Sequence, residues 1–142
     1  MPVARAEAGS GDATRAFDDD ESTSWTSEAG QGAIRFQLAE AATLSEITLK
    51  LGGWRERQYP LRIRVDGVEV WRGLTERSLG YVTLPLQPRR GQNVSIELTG
   101  EAQGGVETTN TEVANQKIVD TGANRLGRGV LSIVEAEFYR LP

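Results

Sequence analysis

The strongest constraint on the fold of this chain is the regular alternation of apolar and polar residues along much of its length. Apolar side chains occupy alternate positions in five separate runs. Because successive side chains of a β-strand point to opposite faces, this pattern predicts half-buried strands with one face in the core. The five runs are Ile34–Leu38, Ile47–Leu51, Leu61–Val65, Val94–Leu98 and Leu131–Tyr139.

Turn signals between the runs favour antiparallel pairing. Asp66-Gly67 follows Val65 and precedes the strand-like residues Val68–Trp71, and such a pair predicts a tight hairpin because both turn residues need positive φ. Glycines are expected to separate the other runs, at Gly52-Gly53, Gly73, Gly80, Gly91 and Gly100. The chain is therefore predicted to be all-β, with two packed antiparallel sheets and one short helical turn at Ala13–Phe17 capped by Asp12.

Composition narrows the chemistry that the chain can perform. Its 142 residues predict one domain over positions 1–142, and they include no cysteine and no histidine. Thiol nucleophiles, Ser-His-Asp triads and ordinary zinc sites are therefore excluded. The net charge of −4 does not predict a nucleic-acid partner, and no apolar stretch approaches the length of a membrane span. No signal peptide is visible at Met1–Ser10, and we expect a module cut from a larger protein.

An acidic segment carries many oxygen donors. Three consecutive aspartates, Asp18–Asp20, precede Glu21 and a set of hydroxyl side chains that ends at Ser24. Carboxylates and backbone carbonyls are the ligands that Ca²⁺ prefers. The residues alone favour the alternative, a solvated acidic turn held by Asp side chains.

Both ends of the chain resemble the discoidin, or coagulation factor 5/8 type C, family and the related family 32 carbohydrate-binding modules. The opening motif of that family is similar to the segment from Ala16 to Trp25, and its last strand is similar to the segment from Val134 to Tyr139. Asp19 departs from the family's usual glycine. The resemblance implies a jelly-roll β-sandwich of the galactose-binding-domain type.

The resemblance also implies a structural Ca²⁺ ion that joins the two ends of the chain. Asp18 and Glu135 would supply carboxylate oxygens, and Thr23 would supply its hydroxyl and its carbonyl. The remaining ligands would be the backbone carbonyls of Arg15, Asp20 and Val134. In that family the aromatic residue at Trp25 packs under the sandwich, which is also the usual role of a single tryptophan.

A loop between two predicted strands is the candidate carbohydrate site. Trp54 and Tyr59 stand there beside Arg55 and Arg57. An aromatic face can cover the apolar side of a sugar ring, and a guanidinium can fix its hydroxyls or a carboxylate. The alternative is an ordinary loop whose tryptophan packs against the sandwich. Trp71 is interpreted as structural.

The leading functional hypothesis is a non-catalytic carbohydrate-binding module that directs a parent glycan-degrading enzyme to its substrate. The alternatives are a docking module of a glycoside hydrolase without glycan affinity and a module for adhesion to protein or lipid. Enzymatic activity is not expected, because neighbouring carboxylates on one short loop are poorly placed to flank a bond. The expected partners are a glycan and a parent catalytic domain, the expected state is a monomer, and the resemblance implies a secreted, periplasmic or cell-surface location.

Overall fold

The structure is a computed structural model that describes residues 3–9, 11–18, 20, 22–28, 32–52, 57–76, 80–100, 103–104 and 130–140. For residues 57, 103 and 104 the description covers the backbone only. The strands within these residues are β1 Val3–Ala8, β2 Trp25–Thr26, β3 Ala33–Leu51, β4 Arg57–Gln58, β5 Pro60–Val65, β6 Val68–Leu74, β7 Tyr81–Leu98, β8 Gln103–Gly104 and β9 Ser132–Arg140.

The strands form an antiparallel β-sandwich, which confirms the predicted fold class. One layer has the strand order β1, first part of β3, last part of β7, β5 and β6. The other layer has the order β2, β9, last part of β3 and first part of β7. Phe36 of the first layer meets Phe138 of the second with ring centroids 5.1 Å apart, so the two layers face each other across one core.

Two long strands run through both layers. β3 pairs with β1 through its residues 34–38 and with β9 through residues 44–51, while β7 follows it along both parts. The register of β3 and β7 shifts between Gln37 and Ala42 and again between Leu44 and Glu46. Irregularities of this kind bend a strand, which lets it pass from one layer to the other. Two runs predicted as separate strands are therefore parts of β3.

The core consists of the apolar residues on the inner faces of the strands, as the alternation predicts. β3 contributes the largest share, with Ile34, Phe36 and Leu38 from one layer and four further residues from the other. Trp25 is buried with 1% of its surface exposed, so the prediction that it packs in the core is confirmed. The other inner residues of β3 are Leu44, Ile47, Leu49 and Leu51.

The predicted hairpin and the predicted helical turn are both present. Asp66 and Gly67 have φ values of 49° and 86°, which is the conformation that an Asp-Gly hairpin turn requires. A 3-10 helix spans Ala13–Ala16, and the Asp12 carboxylate accepts hydrogen bonds from the backbone N–H and the hydroxyl of Thr14. Among the described residues there is no helix long and apolar enough to cross a membrane.

Two glycines that were expected to separate strands lie inside them. Gly73 belongs to β6, where a Cβ atom would lie 3.2 Å from the indole of Trp71. Gly91 belongs to β7, where a Cβ atom would collide with the side chain of Val65. Gly91 therefore allows the β5–β6 hairpin to approach β7 closely, Gly73 leaves room for the indole of Trp71 in its own strand, and neither glycine ends its strand.

Candidate functional site

Three segments of the chain are anchored next to one another at one end of the sandwich. β4 pairs with β8, so that Gln58 lies opposite Gln103. The Gln58 amide donates a 3.2 Å hydrogen bond to the carbonyl of Thr75. Tyr59 and Thr75 are joined by two further bonds of 2.9 Å, one from each backbone N–H. The described residues that flank segments 53–56, 77–79 and 105–129 therefore lie together.

Three of the four predicted carbohydrate-binding residues belong to the first of these segments or border it. Trp54 and Arg55 lie outside the described residues. The backbone of Arg57 is part of β4, and its side chain also lies outside the description. The roles of these three residues remain predictions.

Tyr59 was wrongly predicted to contact a sugar. Its side chain is fully buried, and its hydroxyl donates a 2.5 Å hydrogen bond to the carbonyl of Gly52. A signal for this burial is present in the sequence, because Tyr59 continues the alternation of Leu61 and Ile63 beyond Pro60. Tyr59 is a core residue, and its bond to Gly52 holds the chain at the end of β3.

A depression of about 460 Å³ lies between β6 and the first part of β7. Trp71, Leu74 and Tyr81 supply its apolar lining, and Thr75, Glu76 and Thr83 supply polar groups. Trp71 is half-buried and packs against the core, so it covers the edge of the sandwich and the structural interpretation holds. The sequence analysis did not identify Leu74 and Tyr81, whose exposed apolar groups border this depression.

Short hydrogen bonds close the acidic loop upon itself. The Asp18 carboxylate accepts bonds from the Thr23 hydroxyl at 2.6 Å and from the Asp20 N–H at 3.1 Å. The carbonyl of Asp20 accepts a bond from the same hydroxyl at 3.1 Å. The Thr23 hydroxyl thus lies within hydrogen-bond distance of one oxygen atom of Asp18 and one of Asp20.

The carboxylate of Asp20 has a separate role in the loop. It accepts a 2.6 Å bond from the Ser22 hydroxyl and a 2.9 Å bond from the Ser22 N–H. These two bonds, the hydroxyl bond first, hold the pKa of Asp20 below its usual value. Because its side chain is turned to Ser22, the atom of Asp20 that faces Thr23 is the backbone carbonyl, which is the ligand atom that the resemblance implies.

The second half of the predicted metal set lies on β9. Trp25 pairs with Ile133 in antiparallel register; Thr23 precedes Trp25 by two residues, and Glu135 follows Ile133 by two. Glu135 is only 4% exposed, and Lys50 of β3 is its partner in the register. Val134 is an extra residue in β9 without a partner in β3, as in a β-bulge. The 3-10 helix that contains Arg15 packs against β9.

These donors fit a hard cation such as Ca²⁺. Carboxylate, hydroxyl and carbonyl oxygens make up the whole predicted set, and Ca²⁺ binds six to eight oxygens of these types. Among the described side chains, no three acidic groups come close enough to hold a metal by themselves. A cation at this place would therefore depend on the backbone carbonyls of Arg15, Asp20 and Val134 as well as on Asp18 and Glu135.

No protein-family model matches the sequence, and no curated protein matches it. Among solved structures, the chain is similar to the family 32 carbohydrate-binding module of AlyQ in complex with 4,5-unsaturated mannuronic acid. The TM-score is 0.70 and the identity 16%, over 98% of this chain and 96% of that one. The corresponding values for the family 32 module of NanJ from C. perfringens, in complex with galactose, are 0.62 and 21%, over 96% and 93%.

A longer structure, truncated AlyQ with its family 32 module and alginate lyase domains, gives a TM-score of 0.69 at 16% identity over 96% of this chain. The chain spans only 31% of the length of that protein. Sequence identities of 16–21% are too low to show a shared function, so these three similarities show a shared fold. The fold of this chain is the β-sandwich of the family 32 carbohydrate-binding modules.

Proposed function

We propose that this domain is a non-catalytic carbohydrate-binding module that directs a parent glycan-degrading enzyme to its substrate outside the cell. The proposal rests on one observation: the residues that flank segments 53–56, 77–79 and 105–129 are bonded to one another at one end of the sandwich. Loops held by a stable scaffold are the usual place for binding residues. The sandwich itself is shared with modules whose structures contain galactose or an unsaturated mannuronic acid, and one of these modules is attached to a lyase.

The proposed sugar site contains Trp54, Arg55 and Arg57. An indole face covers the C–H patch of a pyranose ring, and a guanidinium then selects the orientation of hydroxyl or carboxylate groups. The burial of Tyr59 removes one aromatic group from this site, so Trp54 is its sole proposed platform. The affinity is expected to be on the order of 10–1000 µM, because a shallow platform leaves much of the ligand in water.

The test is a glycan array with the native domain and Trp54→Ala, followed by titration calorimetry on each hit. Trp54→Ala is expected to abolish binding, and Arg57→Lys is expected to weaken it because an ammonium cannot form a bidentate fork. Tyr59→Phe is the matched control, since it changes a buried aromatic residue beneath the same loops and leaves binding unchanged. A native domain that binds no glycan would refute the proposal and favour a docking module of the parent enzyme.

The proposed Ca²⁺ ion has a structural role, with ligands from Arg15, Asp18, Asp20, Thr23, Val134 and Glu135. A cation that binds only the folded state stabilises it by about 2.7 kcal/mol at a concentration one hundred times its Kd. Chelation is therefore expected to lower the melting temperature, and Asp18→Ala is expected to remove this response.

The matched control for the metal is Asp12→Ala, which removes the cap of the neighbouring 3-10 helix. This variant should melt at a lower temperature than the native domain, yet it should still respond to Ca²⁺ and to chelator. A native melting curve that chelator does not move, together with a metal-free elemental analysis, would contradict the proposed ion.

A further inference from the structure

The outer face of the layer that contains β1 and β5 carries an ordered array of charged side chains. Paired residues on neighbouring strands point to the same face of a sheet, so the register defines rows across the strands. We call this surface the arginine face. Its rows are Arg5–Gln37–Asn93, Glu7–Arg35–Ser95–Arg64–Glu69 and Ala33–Glu97–Arg62–Arg72.

Positive charge is concentrated on the arginine face although the whole chain is acidic. Five arginines stand there beside three glutamates, which gives 5 − 3 = +2. The net charge of the full sequence is −4, so the remaining residues carry −4 − 2 = −6. The face thus carries a net positive charge that favours the approach of an anionic partner.

The ion pairs on the face neutralise only part of its positive charge, because the arginines outnumber the glutamates. Arg62 donates to one oxygen of Glu97 through both Nε and Nη2, at 2.8 Å, and Arg64 shares the same oxygen at 3.8 Å. Arg5 donates to the neutral amide oxygen of Gln37 at 2.7 Å. Arg5 and Arg64 therefore account for the excess charge, and they stand at opposite sides of the face.

Two depressions of equal size, about 310 Å³ each, lie side by side on the face. The first is bordered by Arg5, Gln37 and Asn93, and the second by Arg64, Ser95 and Glu97. The Glu7–Arg35 ion pair, with a distance of 3.1 Å, borders both depressions. The first depression thus offers two guanidinium groups and one carboxylate, and the second offers two of each, counting Arg35 and Glu7 in both. Neutral hydrogen-bonding groups complete the lining.

We infer that the arginine face is a second carbohydrate-binding surface, and that its ligand is a polysaccharide whose sugars carry carboxylate groups. The inference rests on the proposed function of the domain as a carbohydrate-binding module. A guanidinium forms a bidentate pair with a carboxylate, and amide and hydroxyl side chains bond to sugar hydroxyls.

A polymeric ligand is favoured by the repetition of the site. Two depressions in a row, each bordered by two guanidinium groups, match a chain that presents the same acidic unit more than once. The face extends over five strands, or roughly 19 Å at about 4.8 Å per strand spacing, which accommodates several sugar units in a line. Simultaneous contacts along one chain raise the apparent affinity of groups that bind weakly one at a time.

The test is calorimetric titration of the native domain with polygalacturonate and with highly methyl-esterified pectin, in which the carboxylates are blocked. The double variant Arg5→Gln/Arg64→Gln removes the excess charge with little change in side-chain length. Its matched control is Arg90→Gln/Arg140→Gln, which removes two exposed arginines outside the arginine face. In the strand register Arg90 pairs with Thr43 and Arg140 with Leu44, in the part of β3 that passes from one layer to the other. Melting curves establish that both variants are folded.

Polygalacturonate is expected to bind and the esterified polymer to bind at least about tenfold more weakly. Arg5→Gln/Arg64→Gln should lose about tenfold in affinity for polygalacturonate, while the control should change by less than about twofold. Glu7→Gln removes a competing carboxylate beside Arg35 and is expected to strengthen binding.

Equal losses in the two double variants would overturn the inference, because the attraction would then depend on net charge alone. The inference would also fail if Arg5→Gln/Arg64→Gln and Glu7→Gln bound polygalacturonate as the native domain does. Failure of this inference can be separated from failure of the proposed function. A native domain that binds neutral glycans through Trp54 but no polyuronate refutes only the arginine face, whereas a domain that binds no glycan refutes both.

Discussion

Asp66 is expected to stabilise the β5–β6 hairpin in two separable ways. Its φ of 49° lies in the left-handed region, which costs most residues about 1 kcal/mol but is better tolerated by Asp, Asn and Gly. Its carboxylate also accepts hydrogen bonds from the backbone N–H groups of Asn93 at 3.0 Å and Gln92 at 3.3 Å. These bonds tie the hairpin turn to β7.

The substitutions Asp66→Asn, Asp66→Gly and Asp66→Ala separate the two contributions. Asparagine keeps a side-chain acceptor and the turn conformation, so it should cost less than about 1 kcal/mol. Glycine keeps the conformation but loses the acceptor, for a cost of about 1 kcal/mol. Alanine loses both, and about 2 kcal/mol of unfolding free energy should disappear.

The assay is equilibrium unfolding in urea, followed by tryptophan fluorescence. With an m-value of about 2 kcal/mol/M, the midpoint for Asp66→Ala should fall by about 1 M. The expected order of stability is native, Asn, Gly and Ala. If glycine and alanine were equally destabilising, the left-handed conformation would make no contribution and the reasoning would be refuted.

The same carboxylate gives the stability of the domain a defined dependence on pH. Hydrogen bonds, first from the Asn93 backbone, lower the pKa of Asp66 in the folded state. A group whose pKa is lowered by folding stabilises the folded state above its unfolded pKa, and this stabilisation is lost as the pH falls through the folded pKa. The native domain should therefore lose this contribution below about pH 4, and Asp66→Asn should show a smaller acid loss.

Three further substitutions test the packing of the sandwich. Tyr59→Phe removes the hydroxyl that bonds to Gly52 and should lower the unfolding free energy by about 1 kcal/mol in urea titrations; no change would contradict the buried bond. Gly91→Ala places a methyl group against Val65 and should cost about 1–3 kcal/mol, and a neutral result would show that β7 and the hairpin can separate freely. Gly11 has a φ of 75°, and an added Cβ atom would lie 3.2 Å from the indole of Trp25. Gly11→Ala should therefore lower the melting temperature, and an unchanged melting temperature would refute this close approach.

Alternation predicted the strands with large apolar side chains and missed those without them. Ile34–Leu38 and Leu61–Val65 are strands as predicted, because burial of a complete face dominates their energetics. β1, Val3–Ala8, escaped notice because two of its three inner positions are alanine, which gives a weak apolar signal. The polar and small residues 39–43 gave no sign that β3 continues between the layers, since bends of this kind depend on tertiary pairing.

The candidate sites were predictable to different degrees. The oxygen atoms of Asp18, Asp20 and Thr23 meet in the structure because they are local in sequence, and local spacing can be interpreted without a fold. Tyr59 was misassigned because its residue type suits a sugar site, although its phase along β5 placed it inside. The arginine face is assembled from β1, β3, β5, β6 and β7, and no stretch of sequence shows that their side chains form rows.

The passage of β3 and β7 through both layers has a consequence for how the domain comes apart. In a sandwich of two independent sheets, one sheet can fray while the other persists. Here the same two strands contribute hydrogen bonds to both layers, so separating β3 from β7 in one layer strains their pairing in the other. The two layers therefore form one cooperative unit. Amide exchange should be slow along β3 and the last part of β7, and faster at the outer positions, which are β1 and β6 in one layer and β2 and the first part of β7 in the other.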